Sequence, residues 1–187
     1  MRLLTILALL AVVAGVAGCD SGASDVPDDP ATGATNGPTV VQSREQVRST
    51  TEDVLAMFVA DDGPLGSAKP RATFANGTWS GCDDDLVTWA YEGSGRIDLG
   101  AADTAVTLLP DVRSALESLG WAYDRDPVAA DPATSVTARK GPHLLRVRAY
   151  TDQPFVLVSV SGPCIEPTDQ QRDDLESNRQ SEPIDIP

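Results

Sequence analysis

The most regular pattern in the sequence is HLLRVRAY, residues 143–150, in which apolar side chains alternate with a second set that includes two arginines. Because successive side chains of a strand point to opposite faces, this pattern predicts a strand with one apolar and one partly basic face. The apolar face would carry Leu145, Val147 and Ala149, and the other face Leu144, Arg146, Arg148 and Tyr150. Turn residues bound the segment, with Gly141-Pro142 before it and residues 151–154 after it.

Similar segments elsewhere predict further strands. Residues 135–140 precede the Gly141-Pro142 turn, and residues 155–160 follow the next turn. Earlier in the chain, residues 76–82 and 86–92 also have strand-like composition. We interpret Asn76-Gly77 as a turn signal and Gly93-Ser94-Gly95 as the break that ends the second of these strands.

Two amphipathic segments predict helices. The first covers residues 44–60, after a capping-box pattern that begins at Ser43, and it ends before Gly63-Pro64. The second begins at Leu109-Pro110-Asp111 and ends at Gly120, a natural C-terminal cap.

The order of these elements predicts an α+β fold, an antiparallel sheet of four to five strands with two helices packed on one face. An α-β-β duplication is an alternative arrangement, because SGC at residues 80–82 is similar to SGPC at residues 161–164.

The N-terminus has the order of an export signal. Arg2 is followed by an almost wholly apolar run over residues 3–17, which is shorter than the roughly 20 residues of a membrane-spanning helix. The run ends in Val16-Ala17-Gly18-Cys19, which resembles the lipobox of bacterial lipoproteins. The resemblance implies cleavage before Cys19 and a diacylglycerol thioether on that residue. The alternative is an ordinary cleaved signal with a coincidental cysteine.

The whole layout resembles the small exported lipoproteins of high-GC Gram-positive bacteria, including mycobacterial-type ones. The shared features are the lipobox at Cys19, a tether rich in Ala, Asp, Gly and Thr, two helices, a hairpin-rich sheet and one further pair of cysteines. The resemblance implies a lipid-anchored protein on the extracytoplasmic face of the cell membrane. It implies no functional residue other than Cys19.

Composition divides the chain into four parts. Residues 1–18 are the predicted lipoprotein signal peptide, and residues 19–42 a disordered tether with four Asp and neither Lys nor Arg between positions 20 and 42. Residues 43–165 are predicted to form one α+β domain. Residues 166–187 are predicted to be an acidic tail, since they hold seven acidic residues against two Arg.

Charge and cysteine content restrict the function. The net charge of −14 argues against a nucleic-acid partner, whose binding needs clustered Lys and Arg. With Cys19 assigned to lipid, Cys82 and Cys164 are left as an even pair, which predicts a disulfide bond in an exported chain.

Candidate chemistry is sparse. Four cations concentrate in one hairpin and form a candidate patch for an anionic partner, with a solvated surface as the alternative: Arg139, Lys140, Arg146 and Arg148. His143 is the only histidine; we expect it in solvent at the start of a strand, and no nucleophile motif accompanies it. Asp83-Asp84-Asp85 lacks calcium-loop spacing and is interpreted as a solvated turn.

The aromatic residues could be core or could line a ligand cleft: Trp79, Trp89, Tyr91, Trp121 and Tyr123. No catalytic residue, metal site or cofactor is predicted.

These observations predict a membrane-anchored lipoprotein that is not an enzyme and that binds a protein or polymer of the cell envelope. The alternatives are an envelope-associated hydrolase or modifying enzyme, and a structural or sensory module that works with a membrane partner. A cleft with buried acids around His143 would favour the enzyme, whereas an exposed basic or apolar face would favour binding.

Overall fold

A computed structural model describes residues 37–100, 105–123, 134–177 and 179–187. The predicted signal peptide, Cys19 and most of the predicted tether lie outside the described residues. The described elements, in chain order, are α1 (Val40–Val59), β1 (Arg71–Gly81), β2 (Trp89–Asp98), α2 (Leu109–Ser118), β3 (Ala122–Tyr123), β4 (Ser135–Lys140), β5 (His143–Ala149), β6 (Phe155–Ser161), α3 (Asp169–Ser177) and β7 (Glu182–Pro183).

The described strands form one seven-stranded sheet in the order β3-β4-β5-β6-β2-β1-β7. Its strand pairs are antiparallel, so the predicted α+β class with an antiparallel sheet is confirmed. The predicted count of four to five strands is too low. The two additional strands, β3 and β7, pair through only two residues each, which is too short to produce a recognisable alternation.

Strands β1 and β2 are longer than predicted, because glycines interpreted as turns lie inside them. Asn76 and Gly77 pair with Ser94 and Gly93 in the middle of the two strands. A Cβ atom on Gly93 would collide with the Thr51 hydroxyl of α1, and one on Gly77 would collide with the ring of Tyr91. These glycines therefore mark close packing against the sheet, which the sequence pattern alone does not distinguish from a turn.

The register divides the sheet into two faces. We call one the covered face; it carries one row of paired residues from β1 to β4, Ala75, Gly95, Val158, Val147 and Val136. Helix α1 lies over β2, β6 and β1 on this side, and α2 lies over β4. The core between helices and sheet includes Val47, Leu55 and Phe58 of α1 together with Val112 and Leu116 of α2.

We call the opposite side of the sheet the open face. It carries two adjacent rows of paired residues, one with Phe74, Arg96, Leu157 and Arg148, the other with Asn76, Ser94, Ser159 and Arg146. Neither α1 nor α2 packs on this side. Successive strand residues point to opposite faces, so the same five strands present an apolar surface to the helices and a polar surface here.

The described fold extends beyond residues 43–165 at both ends. Helix α1 begins at Val40 because Thr39 and Gln42 form the capping box, while Ser43 is fully buried in the helix. In the segment predicted to be an acidic tail, Leu175 and Ile184 are buried in the core. Glu182 forms ion pairs with Arg44 and Arg48 of α1, so charge as well as apolar burial holds this segment to the domain.

Cys82 and Cys164 lie at disulfide distance, with Cα atoms 6.2 Å apart. The bond joins the ends of β1 and β6, the two strands that flank β2 in the sheet. The two cysteines do not occupy equivalent positions, because β1 is the first strand of its hairpin and β6 the last strand of its meander. The sequence similarity around them therefore gives no support to an α-β-β duplication. Among the described helices, none has the length and apolar character needed to cross a bilayer.

Candidate functional site

The arginines of the open face come from strands far apart in the sequence. Arg146 and Arg148 lie on β5, and Arg96 lies on β2. Leu157 of β6 is paired with Arg148 on one side and with Arg96 on the other. Three neighbouring strands therefore place the three guanidinium groups on the same side of the sheet.

A depression of about 410 Å³ lies between these strands. Its walls combine charged, hydroxyl and apolar groups, contributed by Phe74, Glu92, Ser94, Gly95, Arg146, Arg148, Leu157, Val158 and Ser159. The volume is within the range of sites that take a side chain or a small ligand.

Arg146 and Arg148 form no ion pair within the described part of the chain. Arg148 is exposed, and the buried Nε of Arg146 has no hydrogen-bond partner there. A guanidinium group carries five N–H donors, and a buried donor without an acceptor costs about 1–3 kcal/mol. The two side chains are therefore available to an anion supplied from outside the described fold.

Arg96 is held in place by two contacts. Its Nε donates to Asp98 Oδ1 at 2.6 Å, and its guanidinium carbon lies 4.0 Å from the centroid of the Phe155 ring. The ion pair with Asp98 neutralises its charge locally. Arg96 therefore borders the site as an oriented planar group, while Arg146 and Arg148 carry its unpaired positive charge.

Two large apolar side chains lie among these polar groups. Phe74 is 54% exposed and Leu157 is 37% exposed, and both line the depression. Exposed aromatic and aliphatic side chains beside arginines are typical of protein interfaces. In the adjacent row of the open face, the Ser94 hydroxyl donates to Asn76 Oδ1 at 2.7 Å.

The structure separates the four cations of the predicted patch. Arg146 and Arg148 come together on the open face, and Arg139 shares that face by register near the β4–β5 turn. Lys140 lies on the opposite side, where it lines a cavity beside α1. The four cations therefore do not share one face, because Arg139 and Lys140 are adjacent in a strand and must point to opposite faces.

Arg96, and not Lys140, lies with Arg146 and Arg148 on the open face, although the pattern of its own strand does not indicate this. The pairing of β6 with β2 brings Arg96 opposite Leu157, across a long separation in the chain. A strand pattern gives the face of each residue within its own strand, whereas the order of strands in the sheet depends on tertiary packing.

His143 begins β5, as expected, but it is half-buried rather than in solvent. It lines a cavity of about 480 Å³ between α1 and the β4–β5 turn. Burial lowers the pKa of the imidazole below its usual value of 6.5, and Nδ1 has no hydrogen-bond partner in the described part of the chain. Asp53, the one acid among the described residues that line this cavity, is exposed.

The aromatic residues, for which core and a ligand cleft were the two alternatives, do not line a single cleft in the described part of the chain. Trp79, Trp89 and Tyr91 are buried in the core, where Trp79 and Tyr91 stack edge to face with ring centroids 5.2 Å apart. Trp121 lies instead at the base of the His143 cavity. Tyr123 packs under Arg113, whose guanidinium carbon is 4.1 Å from the ring centroid.

Asp83 has a structural role in the turn between β1 and β2. Its carboxylate accepts hydrogen bonds from the Thr88 hydroxyl and from the backbone N–H of Val87, the latter at 2.8 Å, and these bonds lower the pKa of Asp83. Leu86 in the same turn has a left-handed backbone, with φ of 55°. In the described ranges, no three His, Cys, Asp or Glu side chains gather as a metal site requires. Comparisons with protein-family models, with curated proteins and with solved structures find no match to this chain.

Proposed function

We propose that this protein is a non-enzymatic binding module of the bacterial cell envelope, anchored to the membrane through lipid on Cys19, and that its open face binds an acidic protein partner. One observation carries the proposal. Arg146 and Arg148 are unpaired within the described chain and line a depression on the side of the sheet that α1 and α2 leave uncovered.

Charge supports an anionic partner. Two unpaired guanidinium groups are unusual in a chain whose net charge is −14, because surface cations normally have acidic neighbours available. Carboxylates match the planar donor pair of a guanidinium group and form charge-assisted hydrogen bonds with it.

The overall acidity of the chain also restricts the kind of anionic partner that can bind. At physiological salt, electrostatic interactions extend over about 8 Å, so an extended polyanion would meet repulsion wherever it left the arginine cluster. A protein surface with a local group of Asp or Glu would avoid this repulsion.

The apolar side chains of the open face favour a protein partner over an anionic wall polymer. Phe74 and Leu157 would be left in water by a partner made only of phosphate or sugar groups, whereas an acidic polypeptide would bury them with its own apolar side chains. The combination of an aromatic residue and arginines is the one enriched at protein interfaces. Binding of an anionic wall polymer is the alternative that the experiment distinguishes.

The anchor fits this role. A lipid on Cys19 would hold an acidic domain at a membrane surface that does not attract it electrostatically. The predicted tether would let the open face reach a partner in the same envelope, since a flexible segment of this length spans roughly 25–30 Å.

The second candidate function is an envelope-associated hydrolase or modifying enzyme. The observation that favours it is His143, which lines a cavity and has an unpaired Nδ1. The Thr50 hydroxyl in that cavity is directed to its own helix, where it donates to the Gln46 carbonyl oxygen at 2.7 Å. His143 thus has no nucleophile prepared beside it among the lining residues, and we place binding before catalysis.

A binding assay with defined probes tests the proposal. The probes are a synthetic peptide of alternating Glu and Leu, poly-glutamate, and poly(glycerol phosphate), each titrated into the protein at physiological salt. We expect the Glu–Leu peptide to bind most tightly, since only this probe supplies both carboxylates and apolar side chains. The Arg146→Glu plus Arg148→Glu variant should weaken its binding at least about tenfold, as for loss of charge-assisted hydrogen bonds.

A matched control carries the same change of charge elsewhere. Arg113→Glu plus Arg172→Glu alters two arginines on α2 and α3 that pair with Glu117 and Asp169. This variant should bind the Glu–Leu peptide as the unmodified protein does. Equal losses in both variants would refute a role for the open face, and tighter binding of poly(glycerol phosphate) than of the peptide would refute a protein partner.

A further inference from the structure

A second cavity, of about 480 Å³, lies on the covered side of the sheet and is lined by different residues from the depression on the open face. Its first wall is one stripe of α1, formed by Thr50, Asp53, Val54 and Met57, which have helical i, i+3, i+4 and i+7 spacing. Its second wall is the segment that follows α2, with Leu119 and Trp121. The β4–β5 turn closes the third side with Lys140 and His143.

The base and one side of the cavity are apolar. Val54 and Trp121 are buried beneath it, Met57 is half-buried, and Leu119 is 50% exposed at its edge. An exposed leucine beside a buried tryptophan leaves apolar surface in water, which a bound apolar group would cover at a gain of about 25 cal/mol per Å². Cavities of this size with apolar walls and a few polar groups are the common form of small-molecule sites.

Charged groups of opposite sign lie on different walls of the cavity. Lys140 and His143 are direct partners in the β4–β5 register, so they lie side by side on one wall. Asp53 is on α1, the facing wall, and it makes no ion pair with Lys140. One wall thus offers a cation and the other an anion.

His143 adds a hydrogen-bonding group without a charge. Its Nδ1 is buried and has no hydrogen-bond partner in the described part of the chain, while the side chain as a whole is half-buried and lines the cavity. Burial lowers the pKa of the imidazole, so the ring is neutral at pH 7. A neutral imidazole donates one hydrogen bond and accepts another, so His143 can donate a hydrogen bond to an anionic group next to Lys140.

We propose that this cavity binds a small zwitterionic molecule with an apolar body, of the chemical class of an apolar α-amino acid or a short apolar peptide. The carboxylate would lie at Lys140 and His143, the ammonium group at Asp53, and the apolar side chain against Met57, Leu119 and Trp121. A zwitterion matches the cavity because it pairs both charges at once. A simple carboxylate would leave Asp53 unpaired, and a simple amine would leave Lys140 unpaired. This site is independent of the binding proposed for the open face.

The experiment compares four probes by calorimetric titration into the purified domain, with amide chemical shifts to locate each site. Phenylalanine and the dipeptide phenylalanyl-leucine carry both charges, 3-phenylpropanoate lacks the ammonium group, and 2-phenylethylamine lacks the carboxylate. We expect both zwitterions to bind and each analogue to bind about 10- to 100-fold more weakly, as expected for loss of a charged hydrogen bond. The relative affinity of the dipeptide distinguishes a free amino acid from a peptide.

Two variants assign the charges. Lys140→Met should weaken phenylalanine at least about tenfold and leave 2-phenylethylamine unchanged, because the amine lacks the group that Lys140 contacts. Asp53→Asn should also weaken the binding of phenylalanine, but here the affinity for 3-phenylpropanoate should be unchanged, because this probe lacks the ammonium group that Asp53 contacts. Arg148→Met, on the open face, is the control that should change none of these affinities.

Three results would overturn the proposal. They are the failure of both zwitterions to bind at millimolar concentration, equal affinity for all four probes, and retention of phenylalanine affinity in Lys140→Met. Because Asp53 and Lys140 are both exposed, these substitutions leave the core intact, and an unchanged unfolding transition verifies that each variant is folded.

Discussion

The covered face and the open face belong to the same strands but are restricted by different physical requirements. On the covered face, Gly93 and Gly95 allow α1 to approach so closely that a Cβ atom would meet Thr51 or Leu55. On the open face, the intervening residue Ser94 points away from the helix and hydrogen-bonds to Asn76. Packing thus dictates the residues of one face, whereas the other is free to carry arginines. We therefore expect substitutions beneath α1 on the covered face to change stability, and substitutions on the open face to change binding of the acidic partner.

The largest expected effect concerns the disulfide bond at the ends of β1 and β6. Cys82 and Cys164 join the strands on either side of β2, across a sequence separation of 82 residues. In the chain-entropy model, removing a bond that closes a loop of this length costs about 4 kcal/mol. Replacing both cysteines by Ala should lower the free energy of unfolding by about this amount, measured by urea denaturation. The loss of stability should affect the covered face and the open face equally. A free thiol at either position in the unreduced protein would show that the bond is absent.

The next largest effect is expected on the covered face alone. Gly93→Val would force a branched side chain against Thr51, and overpacking of this kind costs about 1–3 kcal/mol or more. Ser159→Val is the matched substitution on the open face, where neither α1 nor α2 packs, and it should change the free energy of unfolding by less than about 0.5 kcal/mol. Similar losses in the two variants would contradict the distinction between the faces.

The open face should show the opposite balance of effects. Arg146→Glu plus Arg148→Glu should alter the free energy of unfolding by less than about 1 kcal/mol, because neither arginine has an ion pair to lose within the described chain. The same variant should lose binding of the Glu–Leu peptide. If thermal denaturation instead shows a large loss of stability, these arginines are structural and not available to a partner.

The smallest effect concerns His143, at the edge of the covered face. Burial lowers its folded-state pKa below the unfolded value of 6.5, so the unfolded chain binds a proton that the folded chain does not. The free energy of unfolding should therefore fall as the pH is lowered through about 6.5. His143→Gln should show a shallower decline between pH 7.5 and 5.5. Identical pH profiles for the two proteins would mean that the imidazole titrates normally in the fold.

The sequence predicted those features that lie within one element. The alternation in residues 143–150 placed Arg146 and Arg148 on one face correctly, and the helix after Ser43 differs from α1 mainly at its start. The strand pattern could not show that Arg96 joins the arginines, because the pairing of β2 with β6 is a tertiary property. Glycines were the main source of error. Gly77 and Gly93 provide close contacts, yet in sequence they look like turns.

The C-terminal segment was underestimated for a related reason. The sequence predicted an acidic tail at residues 166–187, yet Leu175 and Ile184 are buried there, and Glu182 pairs with Arg44 and Arg48. Two isolated apolar residues give no periodic signal, and whether they are buried depends on the surface that the rest of the fold offers for packing. The lipid anchor at Cys19 stays a prediction of the sequence. Cys19→Ala should release the protein from membranes, and unchanged partitioning into detergent would contradict the anchor.

Site-specific photo-crosslinking in cells tests the central proposal most directly. A photoreactive residue at Leu157 samples the open face, and one at Val41, an exposed position on α1, is the control site. We predict a discrete crosslinked protein at position 157 that disappears when Arg146 and Arg148 are both changed to Glu, and no such product at position 41. A product at 157 that persists in the double variant, or the absence of any crosslinked protein at 157, would contradict an acidic protein partner at the open face.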